Sequence, residues 1–239
     1  MKDLSFLEEK AIAHRGIHDN KEIAENSISA FKECIKEEVP IELDIHLLKD
    51  NEIVVIHDDN LKRLTRMKKR LKDLTYDQIK DLKLLDTDDK IPTLKEVLEL
   101  VDGKVPLIIE LKYDNPPSKL EKEVVKLLDH YKGPFAVKSF HPLIVYWFKK
   151  NRPEYIRGLL VPSNGEELKR KILHSMILSR FADPDFISVD IRRNNRKILN
   201  KNIPVLGWTI KSQEEYDFNE YKYRNLIVDD YKKLKRNTK

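Results

Sequence analysis

Cysteine is nearly absent from this chain: Cys34 stands alone among 239 residues, so no internal disulfide can form and the redox compartment is left unconstrained. Its place in an amphipathic helical pattern reads as a buried thiol. Long apolar runs are also missing. No stretch approaches about 18 apolar residues, and the first ten carry Lys2, Asp3, Glu8, Glu9 and Lys10 in place of an apolar leader core. The expectations are no stable membrane insertion and a cytoplasmic location. There is no internal repeat, low-complexity linker or second-domain signature. Ser139 lacks the G-x-S-x-G setting of a serine hydrolase. Charge of one sign does not dominate: 46 basic against 41 acidic residues leave a net +5. Basic runs such as Arg66 to Lys72 come without an RNA-binding fingerprint, so nucleic acid is not an expected partner.

What is present is 40% hydrophobic and 36% charged residues, the composition of a globular chain with a heavily charged surface. Strand-length apolar runs recur between helical patterns at Ala11 to His14, Ile41 to Ile45, Leu107 to Leu111, Phe135 to Ser139, Arg157 to Val161, Phe186 to Asp190, Val205 to Thr209 and Leu226 to Asp229. This alternation implies an α/β fold with parallel strands, and the number and length fit a TIM (β/α)8 barrel as one domain over 1–239. A ninth run, Ile53 to Ile56, follows Ile45 too closely for a parallel crossover and reads as a hairpin partner. With Asp50-Asn51 as a two-residue turn, paired residue numbers sum to 101 and Asp44 falls opposite His57. Helices are expected at Ser27 to Lys36, Thr93 to Leu100, Lys119 to Leu128, Pro142 to Lys150, Glu166 to Ser179 and Gln213 to Tyr221, with a capping box from Thr93 to Glu96. The barrel rhythm stops at about 58–90, a small charged insertion after strand 2.

Glu42 and Asp44 are two apart on a strand and share a face, and Glu110 and Lys112 repeat the spacing. If their strands are neighbours, three carboxylates converge with a lysine at their edge. At about 5 Å and an effective dielectric near 20, each like-charge pair costs roughly 3 kcal/mol, so the cluster asks for a cation. An all-oxygen set suits Mg²⁺ or Ca²⁺. Separate ion pairs at strand ends are the bland alternative, but two inward charged residues on each of two strands are hard to explain by packing. His14 and His57 end strand-like runs and suit an acid–base pair, while Arg15 offers a planar fork for a phosphate and Lys112 a second positive group. Asn26 reads as a helix cap in competition with Ser27. Trp208 lines a pocket or fills the core, and Phe140 is similar. His18, His46, His130, His141 and His174 read as solvated or structural.

Together His14-Arg15-Gly16, Glu25-Asn26-Ser27 with Ala30-Phe31, Glu42-Leu43-Asp44, Lys49-Asp50 leading to Val54-Val55 and His57-Asp58, Ile91-Pro92-Thr93-Leu94, Glu110-Leu111-Lys112, Ser139-Phe140 and Trp208-Thr209 resemble the glycerophosphodiester phosphodiesterase family. The resemblance implies a TIM barrel that hydrolyses small-molecule glycerophosphodiesters, such as deacylated phospholipids, to sn-glycerol 3-phosphate and an alcohol. It further implies that Glu42, Asp44 and Glu110 hold one divalent cation, that His14 and His57 act as acid and base, and that Arg15 and Lys112 contact the phosphate. The insertion at about 58–90 matches one characteristic of the family. Two departures stand out: Ala24 replaces the usual proline, and Val228-Asp229-Asp230-Tyr231 stands where a Thr-Asp and following proline are usual. Neither is expected to touch the catalytic set. A lysophospholipase D or sphingomyelinase D reading is the alternative, and it requires an apolar rim at the mouth, whereas the insertion reads as charged.

Overall fold

The computed structural model describes residues 2–113, 118–161, 181–192, 199 and 203–234. Eight parallel strands close a barrel: β1 (Ile12–His14), β2 (Ile41–Leu47), β4 (Leu107–Leu111), β5 (Phe135–Ser139), β6 (Ile156–Val161), β7 (Phe186–Asp190), β8 (Val205–Ile210) and β9 (Asn225–Val228). The ring closes where β1 pairs with both β9 and β2. Strand β3 (Ile53–Val55) runs antiparallel to the end of β2, beyond the stretch that pairs with β1. Between the strands lie α1 (Ile28–Lys36), the short α2 (Lys62–Thr65), α3 (Leu94–Val101), α4 (Lys119–Leu128), α5 (Pro142–Asn151) and α6 (Gln213–Asn219). The helix expected at 166–179, with His174, lies outside the described residues. No helix among the described residues is long and apolar enough to cross a membrane.

Strand alternation divides the core into two layers. Ile12, Ile108, Ala136, Phe186, Leu206 and Ile227 pack on one another inside the barrel. Their strand neighbours Leu43, Ile109, Val137 and Val189 face outward against Phe31, Val97, Val124 and Phe148 of the helices. Gly158 belongs to the inner layer, where a Cβ would meet the Phe186 ring at 2.2 Å, so only glycine fits. Two residues further along the inward faces of β1, β4, β5 and β9 stand His14, Glu110, Lys138 and Asp229, because those positions lie towards the carboxyl mouth. The insertion carries its own small apolar cluster, in which Leu61, Leu64, Leu71, Leu74, Ile79 and Leu84 pack on Leu48, Val54 and Ile56 of the hairpin.

The hairpin register differs from the one expected. The ladder pairs Ile45 with Val55, His46 with Val54 and Leu47 with Ile53, so the numbers sum to 100, and Ile56 N–H donates to the Asp44 carbonyl at 2.9 Å. Asp44 therefore faces Ile56, not His57. The loop uses three residues: Leu48 N–H donates to Glu52 O at 2.9 Å, and Asn51 takes a left-handed conformation at φ 70°. A type I turn closed by a left-handed third residue is the usual three-residue solution, and it displaces the pairing by one. His57 lies past the end of the ladder, so the pleat does not set its direction.

Candidate active site

Glu42 and Asp44 on β2 and Glu110 on β4 bring one carboxylate oxygen each within 4.8 Å of the others, all buried. Adjacent strands in register, with Asp44 beside Glu110, account for the convergence. Two lysines stand among them. Lys112 Nζ lies 2.7 Å from Asp44 Oδ1 and also contacts Glu110 Oε1. Lys138, inward on β5 beside Glu110, places Nζ 2.8 Å from Glu42 Oε1 and 3.7 Å from Glu110 Oε2. Burial would push the Asp44 carboxyl up, but Lys112, His57 and Arg15 outweigh it and hold the group well below its usual range. Burial likewise opposes charge on Lys112, and Asp44 and Glu110 together push it up.

The fully buried Glu42 Oε1 and Asp44 Oδ1 accept no directed hydrogen bond, even though ammonium groups lie close. Carboxylate oxygens crowded this closely repel one another, and a hard divalent cation is a ligand that all-oxygen donors at this separation fit. Asp44 Oδ2 accepts from Asn26 Nδ2 at 3.0 Å, and Asp44 N–H reaches Asn26 Oδ1 at 3.4 Å. Asn26 therefore holds the candidate cation ligand, while Ser27 caps α1 by accepting from Ala30 N–H.

Both imidazoles are backed by a carboxylate. His14 Nδ1 contacts Asp229 Oδ1, leaving Nε2 4.0 Å from Glu42 Oε2. His57 Nδ1 lies 2.7 Å from Asp58 Oδ1. A carboxylate on Nδ1 fixes the ring and frees Nε2 for proton exchange. Burial pushes the His57 imidazole below its ordinary value, with Asp44 pulling the other way. Asp229, which contacts the His14 ring, is the residue of the Val228 to Tyr231 segment that keeps the aspartate of the family pattern; the departures there fall on its neighbours.

Arg15 takes φ 59° immediately after β1, and its neighbour Gly16 takes φ 80° with a Cβ position only 2.9 Å from Ala30 Cβ. Its backbone N–H donates to Glu42 Oε2 at 3.2 Å, and its guanidinium donates to Glu25 Oε1 at 2.6 Å with Nε 3.4 Å from Asp44 Oδ2. Arg63, on the insertion, forks the two Glu25 oxygens at 2.7 Å each and reaches Asp58 Oδ2 at 2.7 Å. Burial would raise the Glu25 carboxyl, but Arg63 and Arg15 hold it down at about 2.

Sequence reasoning missed Lys138, Arg63 and the roles of Asp58 and Asp229. Strand parity offered a signal for Lys138, two residues beyond the inward Ala136. Nothing in spacing predicted Arg63, whose place depends on the path of an irregular insertion. His18 is not solvated: both ring nitrogens are buried without a hydrogen bond. His46 is buried with Nε2 3.0 Å from the His57 carbonyl, and His141 stacks on Tyr113 with ring centroids 3.9 Å apart. Trp208 packs on the inner core and stands edge-on to Phe140 with ring centroids 5.8 Å apart. Exposed apolar side chains follow β4 and β5: Tyr113, Phe140 and Leu143 are 47%, 40% and 39% exposed.

A closed parallel barrel carries carboxylate-backed imidazoles around an acidic centre, and the chain's family and relatives are phosphoric diester hydrolases, which makes it an enzyme of that class. Residues 14–233 match the glycerophosphoryl diester phosphodiesterase family, and the chain belongs to that family. It is 32% identical over 216 residues to YhdW of Bacillus subtilis, a protein assigned as a glycerophosphodiester phosphodiesterase, covering 85% of this chain and 86% of that one. A human lysophospholipase D, GDPD1, is 36% identical over 135 residues, 51% of this chain and 41% of that protein. Among solved structures, an Oleispira antarctica phosphodiesterase in complex with its product sn-glycerol-3-phosphate superposes with a TM-score of 0.76 at 22% identity, covering 94% of each chain.

Proposed function

We propose that the chain hydrolyses glycerophosphodiesters to sn-glycerol 3-phosphate and an alcohol. The observation that carries the reading is the convergence of Glu42, Asp44 and Glu110 within 4.8 Å, close to His14 Nε2 and Arg15 at the barrel mouth. Those three side chains would hold one Mg²⁺ or Ca²⁺, which supplies Lewis-acid stabilisation of charge on the phosphoryl oxygens. Arg15 and Lys112 bind and orient the phosphate anion, each already charged by its carboxylate neighbours. His14 takes the proton from the nucleophile as the new P–O bond forms; with water this gives the monoester directly, and with a glycerol hydroxyl of the substrate it gives a cyclic phosphate that a water molecule then opens. His57 gives a proton to the departing alkoxide as the old P–O bond breaks. Asp229 and Asp58 hold the two rings. Trp208 and Phe140 pack on the organic part of the substrate.

A second reading keeps the chemistry and changes the substrate: the exposed Tyr113, Phe140 and Leu143 offer a lysophospholipid acyl chain the apolar rim that such a substrate requires. One assay separates the two. Purified protein is given glycerophosphocholine, glycerophosphoethanolamine or lysophosphatidylcholine, with and without EDTA, and glycerol 3-phosphate and lysophosphatidate are scored. Release of glycerol 3-phosphate that EDTA abolishes supports the first reading. Turnover confined to the lysolipid supports the second, and turnover unaffected by EDTA removes the cation from both.

A further inference from the structure

The acidic centre already contains positive charge that no substrate is needed to explain. Lys138 sits on the inward face of β5, level with Glu110 on one side and Gly158 on the other, and is only 3% exposed. Its Nζ is 2.8 Å from Glu42 Oε1, an oxygen that is itself fully buried. Lys112 stands two residues nearer the mouth than Glu110 on β4, where an incoming phosphate passes. Lys138 lies level with the carboxylates, so its charge is directed at them.

We propose that Lys138 is a resident competitor for the divalent cation, holding Glu42 and Glu110 in the empty enzyme and lowering the affinity of the centre for the ion. The inference rests on the reading of Glu42, Asp44 and Glu110 as the seat of that ion. Three carboxylates here meet the two ammonium groups of Lys112 and Lys138, so the cluster lies within one charge of neutral before any ion arrives. Glu42 Oε1 accepts no directed hydrogen bond from Lys138, so the ammonium acts as a point charge near the oxygen rather than as a locked donor. An ion seated on Glu42 must exchange with that ammonium or lie against it, and like charges at such short range inside a barrel repel strongly.

The test is calorimetric titration of Mg²⁺ and of Ca²⁺ into chelator-treated, substrate-free full-length protein. Lys138→Gln and Lys138→Met are expected to bind at least one of these ions tenfold or more tighter than the parent, about 1.4 kcal/mol. Lys138→Arg, which keeps the charge, is expected to stay near the parent value. A cooperative thermal transition certifies the fold of each variant, and the two neutral side chains of different polarity guard against loss of one to misfolding. Unchanged or weaker binding in the neutral variants, with the parent binding ions, overturns the role of Lys138 alone. Adding Glu42→Gln to Lys138→Gln is expected to abolish the gain. Tight binding that survives this change, or no binding by any variant, overturns the seat of the ion as well.

Discussion

Arg63 grips Glu25 with two parallel hydrogen bonds of 2.7 Å, and the same guanidinium reaches on to Asp58. Glu25 holds Arg15, and Asp58 holds His57, so one side chain of the insertion braces both the proposed phosphate ligand and an imidazole. Arg63→Gln is expected to lower kcat/KM by roughly 10–100-fold, the cost of losing an outer support of a catalytic group. Arg63→Lys should recover little, because an ammonium cannot fork two oxygens and reach a third. Steady-state kinetics on the glycerophosphodiester identified by the assay decide it; activity near the parent level in both variants would remove Arg63 from the machinery.

Glu25 also sets a pH dependence of stability. Its carboxyl is held at about 2 in the folded chain against about 4.3 when unfolded, so the stabilisation is complete above the unfolded value and is lost as pH falls through the folded one. The contribution at pH 7 is at most roughly 3 kcal/mol, with Arg63 exposure to solvent reducing it. Urea unfolding from pH 7 down to pH 2.5 should show the parent losing stability more steeply than Glu25→Gln. Parallel curves for the two proteins would contradict the ion-pair origin.

Much of this was legible because a barrel repeats one simple rule. Inward positions alternate, so Glu42, Asp44, Glu110 and Lys112 could be placed on one face from spacing alone, and neighbouring strands brought them together. Thr93 with Glu96 was equally readable, since a capping box is local chemistry, and Thr93 Oγ1 does accept from Glu96 N–H. Asn26 was not, because its partner Asp44 is 18 residues away across a loop whose left-handed turn at φ 55° has no spacing signature. Asp229 stayed hidden for a similar reason: it meets His14 only because the last strand closes on the first.

That closure makes Asp229 a testable positioning residue. Asp229→Asn preserves shape but exchanges an acceptor-only group for an amide that can present a donor to His14 Nδ1, favouring the wrong tautomer. A loss in kcat on the order of a hundredfold is expected, with little change in KM, and Asp58→Asn should act on His57 in the same way. Loss of KM instead of kcat would assign both carboxylates to substrate binding.

Glu42→Gln probes stability independently of turnover. The change leaves Lys138 buried with Glu110, at 3.7 Å, as its remaining carboxylate neighbour among the described residues, and breaking a buried ion pair from one side costs about 3 kcal/mol. Denaturant unfolding should therefore show Glu42→Gln well below the parent, with Glu42→Gln plus Lys138→Gln recovering part of the loss. Additive losses in the double variant would mean the two charges do not interact.

Asn51 decides the hairpin register, and that can be tested through stability. At φ 70° an ordinary L-residue is strained, asparagine tolerates the conformation, and glycine occupies it freely. Asn51→Ala is expected to cost about 1 kcal/mol, and Asn51→Gly close to nothing or a slight gain. If the loop instead used two residues with the pairing displaced by one, Asp50 would need a positive φ as well, and Asp50→Gly would then stabilise the chain. The present three-residue loop gives Asp50 another task, because its Oδ2 accepts from Tyr76 N–H at 2.9 Å and ties the hairpin to the insertion. Asp50→Gly should therefore destabilise, and thermal melts of the three variants read the register without any measurement at the active site.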